Sequence, residues 1–285
     1  MRYGALLLLD VPWRAACQQW QLAERMGFDH AWTYDHLTWR SLRDGPWFGS
    51  VPTLVAAAGA TSRIRLGTMV ASPNFRHPVT FAKELMTLDD ISDGRITAGL
   101  GAGGDGFDAT TLRKVPWPRR ERTERFEEFV AMLDRLLAEP ATSYEGRYYL
   151  ASEARAIPGC RQLPRLPFAI AATGPRALRV AARYGETWIA SDSRGAGRDL
   201  VERFEAACAS EHRDPASIAR LVLVGHRERP LDSVEEFRDV AGRYAEAGFT
   251  DLVVHWPRPR EPFAADVTVL ERIAAEVLIR SDRPG

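Results

Sequence analysis

The sequence of 285 residues predicts an α/β fold, a (β/α)8 TIM barrel with insertions after strand 4 and before strand 5. Three observations point there. Short, nearly continuous apolar runs alternate with amphipathic stretches almost from end to end, and such runs belong in parallel strands covered by helices. The strand–helix units number about eight, which favours closure into a barrel at this chain length. The segments "AERMGFDHAW" (23–32) and "YAEAGFTDLVVHW" (244–256) repeat a helix end, a Gly-Phe turn and a strand. An open, doubly wound sheet is the rival architecture. Neither excursion is large or apolar enough for a second domain, so residues 1–285 are expected to form one.

The elements follow in order. "GALLLL" (4–9) is the first strand. Asp10 is placed to cap a helix with Pro12 in its first turn. Trp13, Ala16, Cys17, Trp20 and Ala23 recur at helical spacing, and Gly27 suits the left-handed residue that ends the helix. "HAWTYD" (30–35), "RLGTMV" (65–70) and "RITAGL" (95–100) are the next strands, with helices near 51–62 and 78–91. A loop over 101–117 delays the next helix to about 119, and residues 139–166 form a second excursion rich in Pro, Arg and Tyr. "PFAIAAT" (167–173), "TWIAS" (187–191), "ARLVLVG" (219–225) and "TDLVVHW" (250–256) complete the strands. Helices are expected at 175–184, at 198–210, between a capping box of Asp232 and Glu235 and the terminator Gly248, and at about 263–279.

Composition narrows the function. The formal net charge is zero, which argues against a general nucleic-acid binder, and Lys83 and Lys114 are the only lysines among 38 basic residues. Cys17, Cys160 and Cys208 cannot all pair and form no C-x-x-C, so a reducing compartment, the cytoplasm, is expected. The apolar start is cut short by Asp10 and is expected to be a buried strand rather than a secretory leader. No segment approaches the roughly 20 apolar residues of a membrane helix. The expected partners are a small-molecule substrate and a second copy of the chain, with no nucleic acid and no membrane.

"RITAGLGAGG" (95–104) contains G-x-G-x-x-G at Gly99, Gly101 and Gly104. A dinucleotide fingerprint joins its first strand directly to a helix. Here the glycines follow the fourth strand and the helix is delayed. In a barrel they lie at the carboxyl end of a strand, on the active-site face, where they let a flat ligand approach the backbone. Asp35 and His36 end the second strand at the same face. The Asp can orient or charge-stabilise the imidazole, and the His can exchange a proton with a ligand. Equally open is a bland reading, with Asp35 capping a turn and His36 bonding a loop carbonyl. Thr173 and Gly174 lead into a helix whose N–H groups and dipole would suit a phosphate, with charge from Arg176; an ordinary Thr cap with Pro175 in the first turn is the alternative. His255 and Trp256 end the last strand and are also expected at the mouth. His77 opens the third helix, while His30, His212 and His226 are expected at the surface or strand edges. No close metal-ligand pair and no G-x-S-x-G elbow occurs, which disfavours a zinc enzyme and a serine hydrolase.

From about residue 4 to 278 the chain resembles the bacterial luciferase-like monooxygenase superfamily, and within it the branch that uses the deazaflavin coenzyme F420. The resemblance is carried by "WTYDH", by the long stretch "LGTMVASPNFRHPVTFAKELMTLDDISDGRITAGLGAG", by "YEGRYY" as a hairpin in the second excursion, and by "IAATGPRALRVAARYGETWIAS". It implies an F420-dependent oxidoreductase that moves a hydride at the deazaflavin C5, His36 and Asp35 being the catalytic pair. The alternatives are an FMN-dependent monooxygenase and a barrel that binds flavin without turnover. By the same resemblance Asp35, His36, Met69, Val70, Gly101, Ala102 and Gly103 would lie beside the cofactor. Ala172, Thr173, Gly174, Pro175 and Arg176 would hold its phosphate, and Trp39, His255 and Trp256 would line the substrate pocket. It further implies a non-proline cis peptide between Met69 and Val70, where a β-branched residue and no proline would by themselves give trans. One departure stands out. Members acting on sugar phosphates carry an acid directly after the fourth-strand glycines, whereas Gly104 stands there and Asp105 follows.

Overall fold

A computed structural model of the chain describes residues 1–191, 196–225 and 228–279. In chain order the first half comprises β1 (Arg2–Leu6), α1 (Trp13–Arg25), β2 (His30–Thr33), α2 (Ser50–Ala60), β3 (Arg65–Thr68), α3 (Pro78–Ile91) and β4 (Ile96–Leu100). Then come α4 (Phe107–Thr111), α5 (Arg119–Ala138) and the hairpin strands β5 (Ala141–Glu145) and β6 (Leu150–Arg155). The second half is β7 (Phe168–Ala171), α6 (Pro175–Tyr184), β8 (Thr187–Ser191), α7 (Arg198–Ser210), β9 (Ala219–Leu223), α8 (Val234–Glu246), β10 (Asp251–His255) and α9 (Val267–Ile273).

The strands close in the order β1-β10-β9-β8-β7-β4-β3-β2, every pair parallel, with β5 and β6 apart as an antiparallel hairpin. This is the expected (β/α)8 barrel. Its side chains form two cores because successive residues of a strand face opposite sides. On β10, Leu252 and Val254 join the core between barrel and helices, and Val253 joins the barrel interior. Leu6, Trp32, Met69, Ala169, Ile189, Leu221 and Leu223 fill that interior from the other strands, so the barrel is packed rather than hollow. The helices supply the outer layer. Phe126, Phe129, Val130, Leu133, Leu136 and Leu137 recur on one face of α5 and are all buried, each worth about 1.5–3 kcal/mol. Gly27 and Gly248 end α1 and α8 with φ of +86° and +101°, the left-handed turn that the internal repeat anticipates.

Several local expectations are corrected. Six of the barrel strands end earlier, Leu7–Leu9 running on buried but outside the ladder, whereas β4 and β8 end at Leu100 and Ser191 as expected. Asp10 does not cap α1: Pro12 occupies the cap, and the Asp10 carboxylate takes hydrogen bonds of 2.7 and 3.1 Å from Arg258. The box before α8 starts one residue later, with Ser233 accepting from the Glu236 N–H at 3.1 Å. The short helix α4 interrupts the loop after β4, and a π turn (274–278) replaces the end of the last helix. His30 stands at the start of β2, a strand end, but is buried rather than at the surface. Its Nε2 lies 3.0 Å from Asp251, its Nδ1 accepts from the Trp32 indole at 2.7 Å, and Arg2 closes the group at the amino-terminal end of the barrel. His226 lies outside the described residues.

Candidate functional site

The carboxyl ends of the strands bring the singled-out residues to one face of the barrel, but not in the partnerships expected of them. Beyond β2, Tyr34 faces the barrel interior, so the period of two sends Asp35 the other way and returns His36. Asp35 is buried against Arg76, which donates from Nε at 3.0 Å and from Nη2 at 2.8 Å, and it also accepts a hydrogen bond from the Ser50 hydroxyl. It ties the strand to the start of α2 and to the segment before α3. Burial disfavours the Arg76 charge, yet the hydrogen bonds and charge of Asp35, together with Glu84, push its pKa up.

His36 is oriented by a different carboxylate. Its Nδ1 is hydrogen-bonded to Asp108 in α4, and the other oxygen of Asp108 accepts the Leu37 backbone N–H at 2.7 Å. The Trp47 indole donates to the His36 carbonyl at 2.8 Å. Among the described residues none bonds Nε2, and the imidazole is about one-third exposed. The bland alternative, a loop carbonyl on the ring, is not what the structure contains. Asp108 went unnoticed in the sequence because it is 72 positions from His36. The one local signal is an acidic residue in the glycine-rich loop after β4.

An aromatic group lies beside His36. Trp39 stacks on Tyr34 at 5.3 Å and on Trp47 at 6.1 Å, and Phe263 tilts against it at 5.9 Å. The Tyr34 hydroxyl is 2.7 Å from His255 Nε2, whose Nδ1 is 3.0 Å from the Val224 carbonyl, and Phe263 stacks on the same imidazole at 3.4 Å. Both ring nitrogens of His255 therefore have partners, which leaves it a buried support under the aromatic group. Trp256, one residue on, points outward and packs in the core between barrel and helices. The alternation that turns His255 inward removes Trp256 from the pocket wall. Tyr34, read as part of a strand, Phe263, read as the start of a helix, and Trp47, in a loop, carry no local signal in the sequence that sets them apart from core aromatics.

At the next strands the glycines meet a defined surface. The Met69–Val70 peptide is cis. A Cβ on Gly101 would lie 2.5 Å from Val70 Cγ2, and one on Gly103, whose φ is +73°, would lie 2.6 Å from the Asn74 amide nitrogen. The Asn74 amide holds the loop by donating to the Gly104 carbonyl at 3.2 Å. Ala102 is half-buried between them. Across β7, Ala172 is buried, and Gly174 rather than Thr173 is the cap of α6, with Pro175 as its first residue. A Cβ on Gly174 would meet only Arg119, 3.9 Å away, so the cap faces open space. Arg176 does not add its charge there: it pairs with Glu127 at 2.5 and 2.9 Å, and those hydrogen bonds raise its pKa. Arg203, donating to the Thr173 carbonyl at 2.7 Å, and Arg119 are the cations beside the cap.

Residues 1–244 match the family model described as luciferase-like monooxygenase. The chain belongs to that family. Among its luciferase-like relatives, an F420-dependent glucose-6-phosphate dehydrogenase of Beutenbergia cavernae is 31% identical over 91% of this chain and 90% of that one. An F420-dependent hydroxymycolic acid dehydrogenase of Mycobacterium tuberculosis is 28% identical over 93% of this chain and 71% of its own. In fold the chain is similar to an F420-dependent secondary alcohol dehydrogenase solved with an F420–acetone adduct. The TM-score is 0.80, at 18% identity over 95% and 97% of the two chains. This luciferase-like barrel holds no group of His, Cys, Asp and Glu arranged for a metal among its described residues, and no described helix is long and apolar enough to cross a membrane.

Proposed function

We propose that this protein is an F420-dependent oxidoreductase that interconverts an alcohol and a carbonyl group on a small organic substrate. The observation that carries this is the shape of the strand ends: side-chain-free backbone at Gly101 and Gly103, backed by Val70, on the face that also presents the Nε2 of His36. Val70 and Asn74 occupy the places that side chains at Gly101 and Gly103 would need, so the strand ends close into one surface against which a flat ring system can lie. Two relatives that align over more than nine-tenths of the chain are dehydrogenases of this cofactor.

Met69, Val70, Gly101, Ala102 and Gly103 would hold the ring. The cap at Gly174, with Ala172, Thr173 and Pro175 around it, would take the phosphate on the free N–H groups that begin α6, helped by the helix dipole. The deazaflavin supplies hydride chemistry when bound. The chain supplies orientation and proton transfer: His36 Nε2 is the acceptor for the hydroxyl proton in oxidation and its donor in reduction. Trp39, with Tyr34 and Phe263 behind it, would form the apolar wall against the substrate. Glucose 6-phosphate itself is not proposed, because Gly104 replaces the acid of that branch. Three free thiols suit the cytoplasm, and Leu150, Ile157 and Leu163, all well exposed on the second excursion, suit a homodimer.

Side-by-side fluorescence titrations of the apo-protein test the cofactor. F420 is expected to bind at least about tenfold more tightly than FMN, or about 1.4 kcal/mol. Tighter FMN binding would replace this reading with the monooxygenase.

A further inference from the structure

We propose that Asp108 fixes the tautomer of His36, and so makes Nε2 a proton acceptor. The inference deepens the function proposed above and rests on it for the proton's destination. Asp108 is a buried residue on α4, and its two oxygens have separate tasks. Oδ1 accepts the Leu37 backbone N–H at 2.7 Å, and Oδ2 meets Nδ1 of His36. A carboxylate offers no proton to the contact, so the hydrogen resides on Nδ1 and the lone pair of the neutral ring on Nε2. The placement of α4 holds the carboxylate there. Ala109 is fully buried beneath it, and Arg113 at its end donates to the Ala109 carbonyl at 3.0 Å and the Asn74 carbonyl at 2.6 Å.

The step then balances. On oxidation of a substrate hydroxyl, bound F420 would be the oxidant that takes the carbinol hydrogen with its electron pair. The O–H proton passes to Nε2, and the O–H pair becomes the second bond of the carbonyl. His36 becomes an imidazolium with both nitrogens protonated, and the Asp108 carboxylate faces the new charge. Reduction runs the same transfers backwards. Asp108 touches neither substrate nor cofactor in this scheme and is a positioning residue.

Two variants separate tautomer control from a structural role. In Asp108→Asn the Leu37 N–H still needs an acceptor, so the amide oxygen stays with it and the NH2 turns to Nδ1. Nδ1 must then carry the lone pair, and Nε2 the proton. Asp108→Ala leaves the ring either tautomer. The expected order of turnover is therefore wild type, then Ala, then Asn, with Asn at least about 10²-fold down and F420 affinity in both within about twofold. If Asp108 only held α4 in place, the isosteric Asn would be the milder change; that order would overturn the proposal. Imidazole ¹⁵N NMR of the protein without cofactor gives a second readout, with the His36 signals assigned by their loss in His36→Gln. The protonated nitrogen should switch from Nδ1 to Nε2 in Asp108→Asn, and an unchanged pattern would also overturn it. Because this spectrum needs neither F420 nor substrate, failure of the F420 reading would show in the titrations and not here.

Discussion

Val70 fills the space that a side chain on Gly101 would need: its Cγ2 lies 2.5 Å from the position of the missing Cβ. The strand-3 end and the strand-4 end are thus fitted to each other before any ligand arrives. Gly101→Ala is expected to cost about 1–3 kcal/mol of stability by overpacking, and to weaken F420 binding at least about tenfold. Val70→Ala in the same chain removes the clashing methyl and should restore most of the stability. Thermal unfolding of the single and double variants checks this; no recovery in the double variant would mean that the strain lies elsewhere.

Gly174 is the opposite case. Its φ of −88° is open to any residue, and a Cβ would have free space around it. Gly174→Leu should therefore leave the melting temperature within about 2 °C, which corresponds to about 1.2 kcal/mol at this chain length, while filling the room for a phosphate. F420 affinity is expected to fall at least about tenfold. Unchanged affinity in the folded variant would reduce the segment to a helix cap.

Asp35 and His36 should separate experimentally into structure and chemistry. Asp35→Asn leaves the part-buried Arg76 guanidinium with Glu84 as its remaining carboxylate, and is expected to cost about 3 kcal/mol of stability. Turnover per folded molecule should stay near normal. His36→Ala should do the reverse, losing about 10²-fold in turnover with little change in melting temperature. A stable but inactive Asp35→Asn would return Asp35 to the reaction.

The amino-terminal end of the barrel sets an acid limit. Burial works against ionisation of Asp251, but hydrogen bonds from His30, Arg2 and Thr250 outweigh it and hold the pKa at about 2, down from 3.8. A carboxyl group depressed in the folded state stabilises the fold fully above its unfolded pKa, and the contribution is lost as pH falls through the folded one. About 2 kcal/mol should thus be present above pH ~4 and disappear toward pH ~2. Denaturant unfolding between those limits measures it, and the increment should vanish in Asp251→Asn. A wild-type curve parallel to that of the variant across the window would rule the linkage out.

The barrel was legible in the sequence because its causes are local. Apolar runs such as "RITAGL", the amphipathic stripe of α1 and the Gly-Phe turns at Gly27 and Gly248 each follow from the conformational preferences and periodicity of neighbouring residues. The glycines after β4 could likewise be placed at the carboxyl end of a strand, because that position depends on strand order alone. Partnerships were not legible. Asp35 stands next to His36 in the chain, yet the two-residue period turns it to Arg76, while an acid 72 positions away reaches the imidazole through a five-residue helix. Arg176 is expected to face a phosphate and instead meets Glu127 on α5, and Trp256 packs in the outer core while His255 is buried under the aromatic group. Spacing along the chain determines which side chains share a face. Which of them then meet depends on the closure of the barrel and the packing of its loops, and only the tertiary structure decides that.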